Sequence, residues 1–121
     1  MHKIKIDNET GFIWSTKLIK LSWKEAMNYC YDLEFDGYND WRLPIKEELL
    51  TLRNHNIFEN VGCFWTCEEY IPDTDYAMIV FFTNGNVSAG GKAGAYYVRP
   101  VRGSFHKLFE NYIKKMIEDE I

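Results

Sequence analysis

The chain opens on an alternating stretch, HKIKI (2–6), in which Ile4 and Ile6 share one face in the manner of a strand. A polar turn, DNETG, follows with Gly11 able to take positive φ, and FIW (12–14) returns, so the pattern predicts an opening hairpin. The apolar spacing then becomes helical. Ala26, Cys30 and Leu33 line one face, with Trp23 and Met27 alongside. The start of this helix is marked by S-W-K-E, in which Ser22 and Glu25 can each satisfy the other's free backbone N–H. The helix is expected to stop before Gly37, and DGYND (36–40) reads as a polar loop. Pro44 cannot donate to a ladder and biases Leu43 toward extended geometry. Trp41–Leu43 is therefore expected to be extended, with a second helix starting near Pro44 or Ile45. Glu47 and Glu48 fall in its first turn, where carboxylates suit the helix dipole. Leu49, Leu50 and Leu52 face inward, and Asn54 or Asn56 marks the stop.

From residue 57 the texture becomes β. CFWTC (63–67) reads as a strand, and YAMIVFF (76–82) as a strand buried on both faces. TNGN (83–86) carries the Asn-Gly hairpin signal. SAGGKAGA (88–95) reads as a small-residue loop, and YYVRPVR (96–102) as the last strand, with Pro100 confining its far end to an edge or bulge. The tail is separately amphipathic: Phe105, Leu108, Phe109, Tyr112, Ile113, Met116, Ile117 and Ile121 form one stripe. Burying each such side chain is worth roughly 1.5–3 kcal/mol, so the stripe must dock on its own domain or on another chain. The expected organisation is one domain over 1–103 and an amphipathic helical extension over 104–121. Phe105, Phe109, Tyr112 and Met116 are the candidate oligomer contacts. A heptad register persists for only about two repeats, which argues against a free coiled coil.

Composition refines this picture. Of 121 residues, 46% are hydrophobic and 26% charged, as in an ordinary single-domain globule. The aromatic share, 17%, supplies bulky core and exposed aromatic surface. The net charge is −4 and no basic stripe emerges, which disfavours nucleic acid as a partner. No apolar run reaches membrane-span length, and the first residues lack a signal-peptide h-region, so a cytoplasmic location is expected. Three cysteines leave at least one thiol unpaired, which suits a reducing compartment.

Candidate chemistry is sparse. Trp41-Arg42 joins a large apolar anchor to five rigid N–H donors, a combination suited to tying loops together by buried carbonyls. With Pro44, it reads as a structural joint in preference to a ligand site, and Arg99 and Arg102 read alike. Cys63 and Cys67 share a face with C-x₃-C spacing. With His55 they reach three ligands where a metal site needs about four, so no metal or other cofactor is expected. His2, His55 and His106 show no Cys–His nucleophile spacing. The acidic run Glu68, Glu69, Asp73, Asp75 lacks a calcium signature, and GGKAG lacks the setting of a phosphate loop. What remains is surface. Tyr70, Tyr76, Asn84, Asn86, Lys92 and Tyr96 combine aromatics, amides and a lysine, as in protein or sugar recognition, although some of these tyrosines belong to the core.

The order of motifs is D-N-E-T-G-F-I-W, L-S-W-K-E-A-M-N-Y-C, G-Y-N-D-W-R-L-P-I-K-E-E-L, F-W-T-C, V-F-F-T-N-G and Y-Y-V-R-P-V-R-G. Over about residues 5–103 it resembles the Legionella collagen-like protein C-terminal domain family. The resemblance implies a C-type-lectin-like α+β fold: two helices packed on a twisted, mostly antiparallel sheet with long loops. It also implies a non-catalytic, adhesin-like recognition role, with contacts near the C-terminal strands. The family often has Cys where Pro100 stands, so a bridge from Cys30 to that site is impossible. It often has Thr or Ser where Ile45 stands, a lost cap worth about 1 kcal/mol. Its members are commonly exported, and no export signal is seen here. The expected function is a module that binds protein or glycan. Alternatives are a homo-oligomeric assembly protein built through 104–121 and, as a third reading, an enzyme.

Overall fold

The computed structural model describes residues 3–103 and 116–118. Strands β1 (Ile4–Ile6) and β2 (Ile13–Ser15) form the opening hairpin, closed by Gly11 at φ 79°. After β3 (Ile19–Leu21), helix α1 spans Trp23–Asp32. Glu25 accepts from the Ser22 N–H at 3.1 Å and from the Ser22 hydroxyl at 2.7 Å. The hydroxyl therefore acts as a donor to the carboxylate at this helix start. Residues 36–40 are more ordered than a polar loop. Phe35 and Tyr38 exchange both backbone hydrogen bonds around Asp36 (φ 52°) and Gly37 (φ 82°). Two positive-φ residues make this a tight hairpin of the kind Asp-Gly favours.

Helix α2 (Lys46–Asn54) starts just after the predicted boundary. Ile45 has no capping oxygen, but Glu48 takes the Ile45 N–H at 2.9 Å. The chain leaves α2 through Asn56 at φ 53°. The remaining strands are β4 (Cys63–Glu69), β5 (Tyr76–Phe81), β6 (Val87–Gly91), β7 (Tyr96–Val98) and β8 (Val101–Arg102). They build a five-stranded sheet, β3-β7-β4-β5-β6, and a three-stranded sheet, β1-β2-β8. All pairings are antiparallel except β4 with β7.

Period-two alternation gives the larger sheet two apolar faces. Phe64, Val80 and Tyr97 pack with Leu49 and Leu52 of α2 and with Trp14 and Val101 of the smaller sheet. Trp65, Ala77, Ile79, Tyr96 and Val98 pack with Ala26 and Cys30 of α1 and with Leu43. The sheet is thus sandwiched between α1 on one side and α2 with the smaller sheet on the other: an α+β fold.

Two expectations are corrected and one is refined. The small-residue stretch after Val87 is not a free loop: Val87–Gly91 pairs with β5 along its length. A Cβ at Gly90 would lie 2.9 Å from Tyr96 Cε2 and 3.1 Å from Ile79 Cγ2, so glycine permits a close approach here. Asn84-Gly85 does turn the β5–β6 hairpin, but through a longer loop in which Gly85 (φ 76°) holds positive φ and Asn84 does not. The last strand is two strands. It breaks at Arg99-Pro100 and passes from the larger sheet to the smaller, with the Pro100 carbonyl accepting from Ser15 N at 3.0 Å.

Candidate recognition surface

Trp41-Arg42 lies where the two halves of the chain meet. Arg42 exchanges both backbone hydrogen bonds with Val101, at 2.9 and 3.0 Å. Trp41 is buried, its indole N–H reaching Phe35 O at 3.3 Å and its ring packed against Phe35 and Tyr38. The main partner of the Arg42 guanidinium differs from expectation. It donates to one main-chain oxygen, Gly103 O at 3.2 Å, but its bidentate contact is to Glu48, at 2.7 and 2.6 Å. Glu48 is fully buried, so its place in the first turn serves the ion pair as well as the dipole. Pro44 is buried and its carbonyl accepts from Cys67 N at 2.9 Å. Arg99 is buried between the sheets, with Nη1 on Ser15 O at 3.1 Å and the guanidinium 3.9 Å from the centre of the Phe58 ring. Burial pushes its pKa down to about 10, still protonated at neutral pH. Arg102 pairs with Asp40 through two bonds of 2.6 and 2.9 Å and stacks on Tyr38.

The six surface candidates divide. Tyr70, Tyr76 and Lys92 come together at the open end of the β5–β6 hairpin. Tyr70 N donates to Tyr76 O at 2.9 Å, and Lys92 N to Asp75 O at 2.9 Å. Lys92 Nζ meets Glu69 at 3.0 Å and lies 4.5 Å above the Trp23 ring. Trp23 is fixed by its indole N–H on Thr66 O (2.8 Å) and by its backbone N–H on Lys92 O (3.1 Å). Beside them Ile71 is 80% exposed and Tyr76 41% exposed. Asn84 and Asn86 are exposed at the other end of the hairpin, roughly 17 Å away at about 3.3 Å per residue along β5. Tyr96 is only partly exposed. It stands edge-to-face on Trp65, centroids 4.8 Å apart, within the α1-side core. Residue type and proximity in sequence had grouped these six. The fold leaves one rim built from Trp23, Glu69, Tyr70, Ile71, Tyr76 and Lys92. Trp23, Glu69 and Ile71 were not among the sequence candidates. An isoleucine followed by proline inside an acidic run was the available signal for Ile71.

Among the described residues the three thiols are shifted upward and His55 lies between two carboxylates. Cys30 is fully buried, and burial, with a smaller effect from Cys67, pushes its thiol up to about 12. Burial lifts Cys63 to about 11, and burial followed by the Glu68 and Glu48 carboxylates raises Cys67. His55 faces Asp7 through Nδ1 (2.6 Å) and Glu9 through Nε2 (3.0 Å). The two nitrogens point opposite ways, so these three side chains cannot share one metal ion. Two polar depressions of about 430 and 440 Å³ lie along residues 31–41, and a more apolar groove of about 370 Å³ opens between α1 and residues 41–45.

Phe105, Phe109 and Tyr112 lie outside the described residues. Met116 lies in a described helical stretch, 116–118, and is exposed, as is Ile117. No described helix is long and apolar enough to cross a membrane.

Comparison with known proteins agrees with this architecture. The family model of the Lcl C-terminal domain matches residues 3–102. Among solved structures, the C-type lectin CEL-I from Cucumaria echinata is similar with a TM-score of 0.53 at 11% identity, over 82% of this chain and 94% of that one. No curated protein sequence matches the chain.

Proposed function

Because the chain belongs to the Lcl C-terminal domain family, we propose that it is a non-catalytic recognition module that contacts a protein or glycan through the Trp23–Glu69–Tyr70–Ile71–Tyr76–Lys92 rim. The observation that carries this reading is that exposed Ile71 and Tyr76 stand at the same hairpin end as a lysine ion-paired to Glu69 and set over the Trp23 ring. Aromatic and apolar anchors ringed by fixed polar groups are what recognition surfaces use. The raised thiols support a role without covalent chemistry.

The electrostatics narrow the partner. Between Arg53 and Lys92 the chain has no Lys or Arg, while Glu59, Glu68, Glu69, Asp73 and Asp75 are acidic. An anionic glycan would meet like charge at this rim. A protein offering basic groups, or an uncharged sugar, would not. The test is a screen of neutral and sulfated glycans and of candidate proteins against the wild type and the I71S/Y76A variant. The variant should lose about tenfold or more in affinity for any true ligand, or about 1.4 kcal/mol. Binding that survives the double replacement unchanged removes the rim from the role.

A second reading is homo-oligomeric assembly through the tail. It is favoured by Met116 and Ile117, at 47% and 57% exposure on a helical stretch.

A further inference from the structure

Among the described residues β6 is the outer strand of the larger sheet, with β5 on its inner side. Phe81 N donates to Asn86 O at 2.8 Å, which marks Phe81–Asn86 as a hydrogen-bonded rung. Along the register Ile79–Ser88 and Ala77–Gly90 are then the bonded rungs, and Val87, Ala89 and Gly91 turn their N–H groups outward. The carbonyls of Val87 and Ala89 face the same outer side, while that of Gly91 accepts from Gly94 N at 2.9 Å. A sheet edge invites a further strand unless lysine, proline or a bulge guards it. Lys5 guards β1 and Lys20 guards β3, but β6 reads VSAGG and pairs with β5 without a break in register. Going beyond the recognition reading, we propose that β6 pairs antiparallel with β6 of a second copy, about a two-fold axis at Ala89.

The register is self-complementary. Centred on Ala89, it sets Val87 of each copy opposite Gly91 of the other, so the outward N–H groups all fall on bonded rungs. The side chains fit the same register. Tyr76, Met78, Val87 and Ala89 share one face of the sheet. The Tyr76 ring leans over Gly91, where a Cβ would lie 3.9 Å from its Cε1. Val87 of the second copy stands just across that glycine, so exposed Tyr76 and exposed Val87 cover each other on both sides of the axis. Charge selects the antiparallel sense. Glu69 and Asp75 lie beside Lys92 at one end of the hairpin. Arg53 lies at the other, its Nε on Phe82 O at 2.7 Å. Antiparallel pairing brings each acidic end toward the other copy's arginine, whereas parallel pairing would set acid on acid. Two strands of 5 residues bury far less than the roughly 1,600 Å² of a standard interface, so the dimer is weak and concentration-dependent.

The experiment uses the full chain. Amide exchange is followed by NMR at about 50 µM and about 1 mM protein. At the higher concentration the Val87 and Ala89 N–H groups should slow roughly fivefold or more, while those of Ser88 and Gly90, bonded to β5, keep their rates. Sedimentation over the same range should show a monomer–dimer equilibrium. Ala89→Lys sets two like charges on the axis and should return the protein to monomer, and Ala89→Glu should do the same. An equimolar mixture of the two variants should associate again, which a folding defect would not allow. A wild type that stays monomeric overturns the proposal, as do Val87 and Ala89 amides already slow at the lower concentration. Association of A89K at wild-type strength puts the contact on another surface and overturns it, and so does a mixture that stays monomeric. No glycan or other partner enters these measurements, so the recognition reading stands or falls separately.

Discussion

Arg42→Met keeps the side-chain stem and removes the guanidinium. It leaves Glu48, fully buried, with the Ile45 N–H as its remaining polar contact among those described above. Breaking a buried ion pair from one side typically costs about 3–5 kcal/mol, mostly from the stranded charge. The Arg42 side chain is 35% exposed, so water can enter the vacated space, and the lower end, about 3 kcal/mol, is expected. For a domain of this size that is a fall in Tm of roughly 10 °C. Glu48→Leu alone strands a cation that can reach solvent and also frees the Ile45 N–H, for about 2 kcal/mol together. The R42M/E48L double variant replaces the pair with apolar groups, which is often close to neutral. It should lie only about 1–2 kcal/mol below wild type. The cycle therefore predicts a coupling of about 3–4 kcal/mol. Urea unfolding followed by circular dichroism measures each corner, with a constant m-value as the check on two-state behaviour. An R42M cost below about 1 kcal/mol, or additivity within about 0.5 kcal/mol, refutes the reasoning. It would mean that the Arg42–Val101 backbone pairing alone closes the joint, leaving the guanidinium for a ligand.

Gly90→Ala should cost about 1–3 kcal/mol, because its Cβ would have to displace Tyr96 and Ile79. Faster amide exchange over Val87–Gly91 should accompany the loss, and wild-type stability in this variant would contradict the close approach. Asp40 gives a pH test. Its hydrogen bonds to Arg102 hold the carboxyl below its ordinary value, against a smaller opposing effect of burial. The pair's stabilisation is thus present above the unfolded carboxylate pKa and is lost as pH falls through the depressed folded value. With the Asp40 side chain 57% exposed, the effect is about 0.2–1 kcal/mol. The wild type's advantage over Asp40→Asn near pH 6 should vanish toward about pH 2, and an advantage that persists in acid would exclude Asp40 as its source.

Whatever depends on a few neighbouring residues was legible in the sequence. Gly11, the Ser22–Glu25 start of α1, the bridge at Arg42 ahead of Pro44 and the helix stop at Asn54–Asn56 follow from backbone sterics and local hydrogen bonding. They are where the sequence puts them, within a residue or so. The Asp36-Gly37 hairpin was equally local, and its dipeptide was present to be read. The order of motifs likewise carried the family and the α+β class.

What pairs with what across the chain was decided only by the tertiary structure. Nothing near Gly90 marks it as a strand residue until Ile79 and Tyr96 close on it. Nothing in Y-Y-V-R-P-V-R says that the chain changes sheets at Pro100. Glu48 looks like a first-turn carboxylate until burial makes it the counterion of Arg42. The proposed rim has the same origin, since it gathers Trp23, Tyr70 and Lys92 from three separate stretches of the chain and leaves Asn84 and Asn86 at the far end of the hairpin. Local sterics and capping act over one turn and are written in order along the chain. Burial and pairing depend on which distant surfaces meet, and that is settled only when the whole core closes.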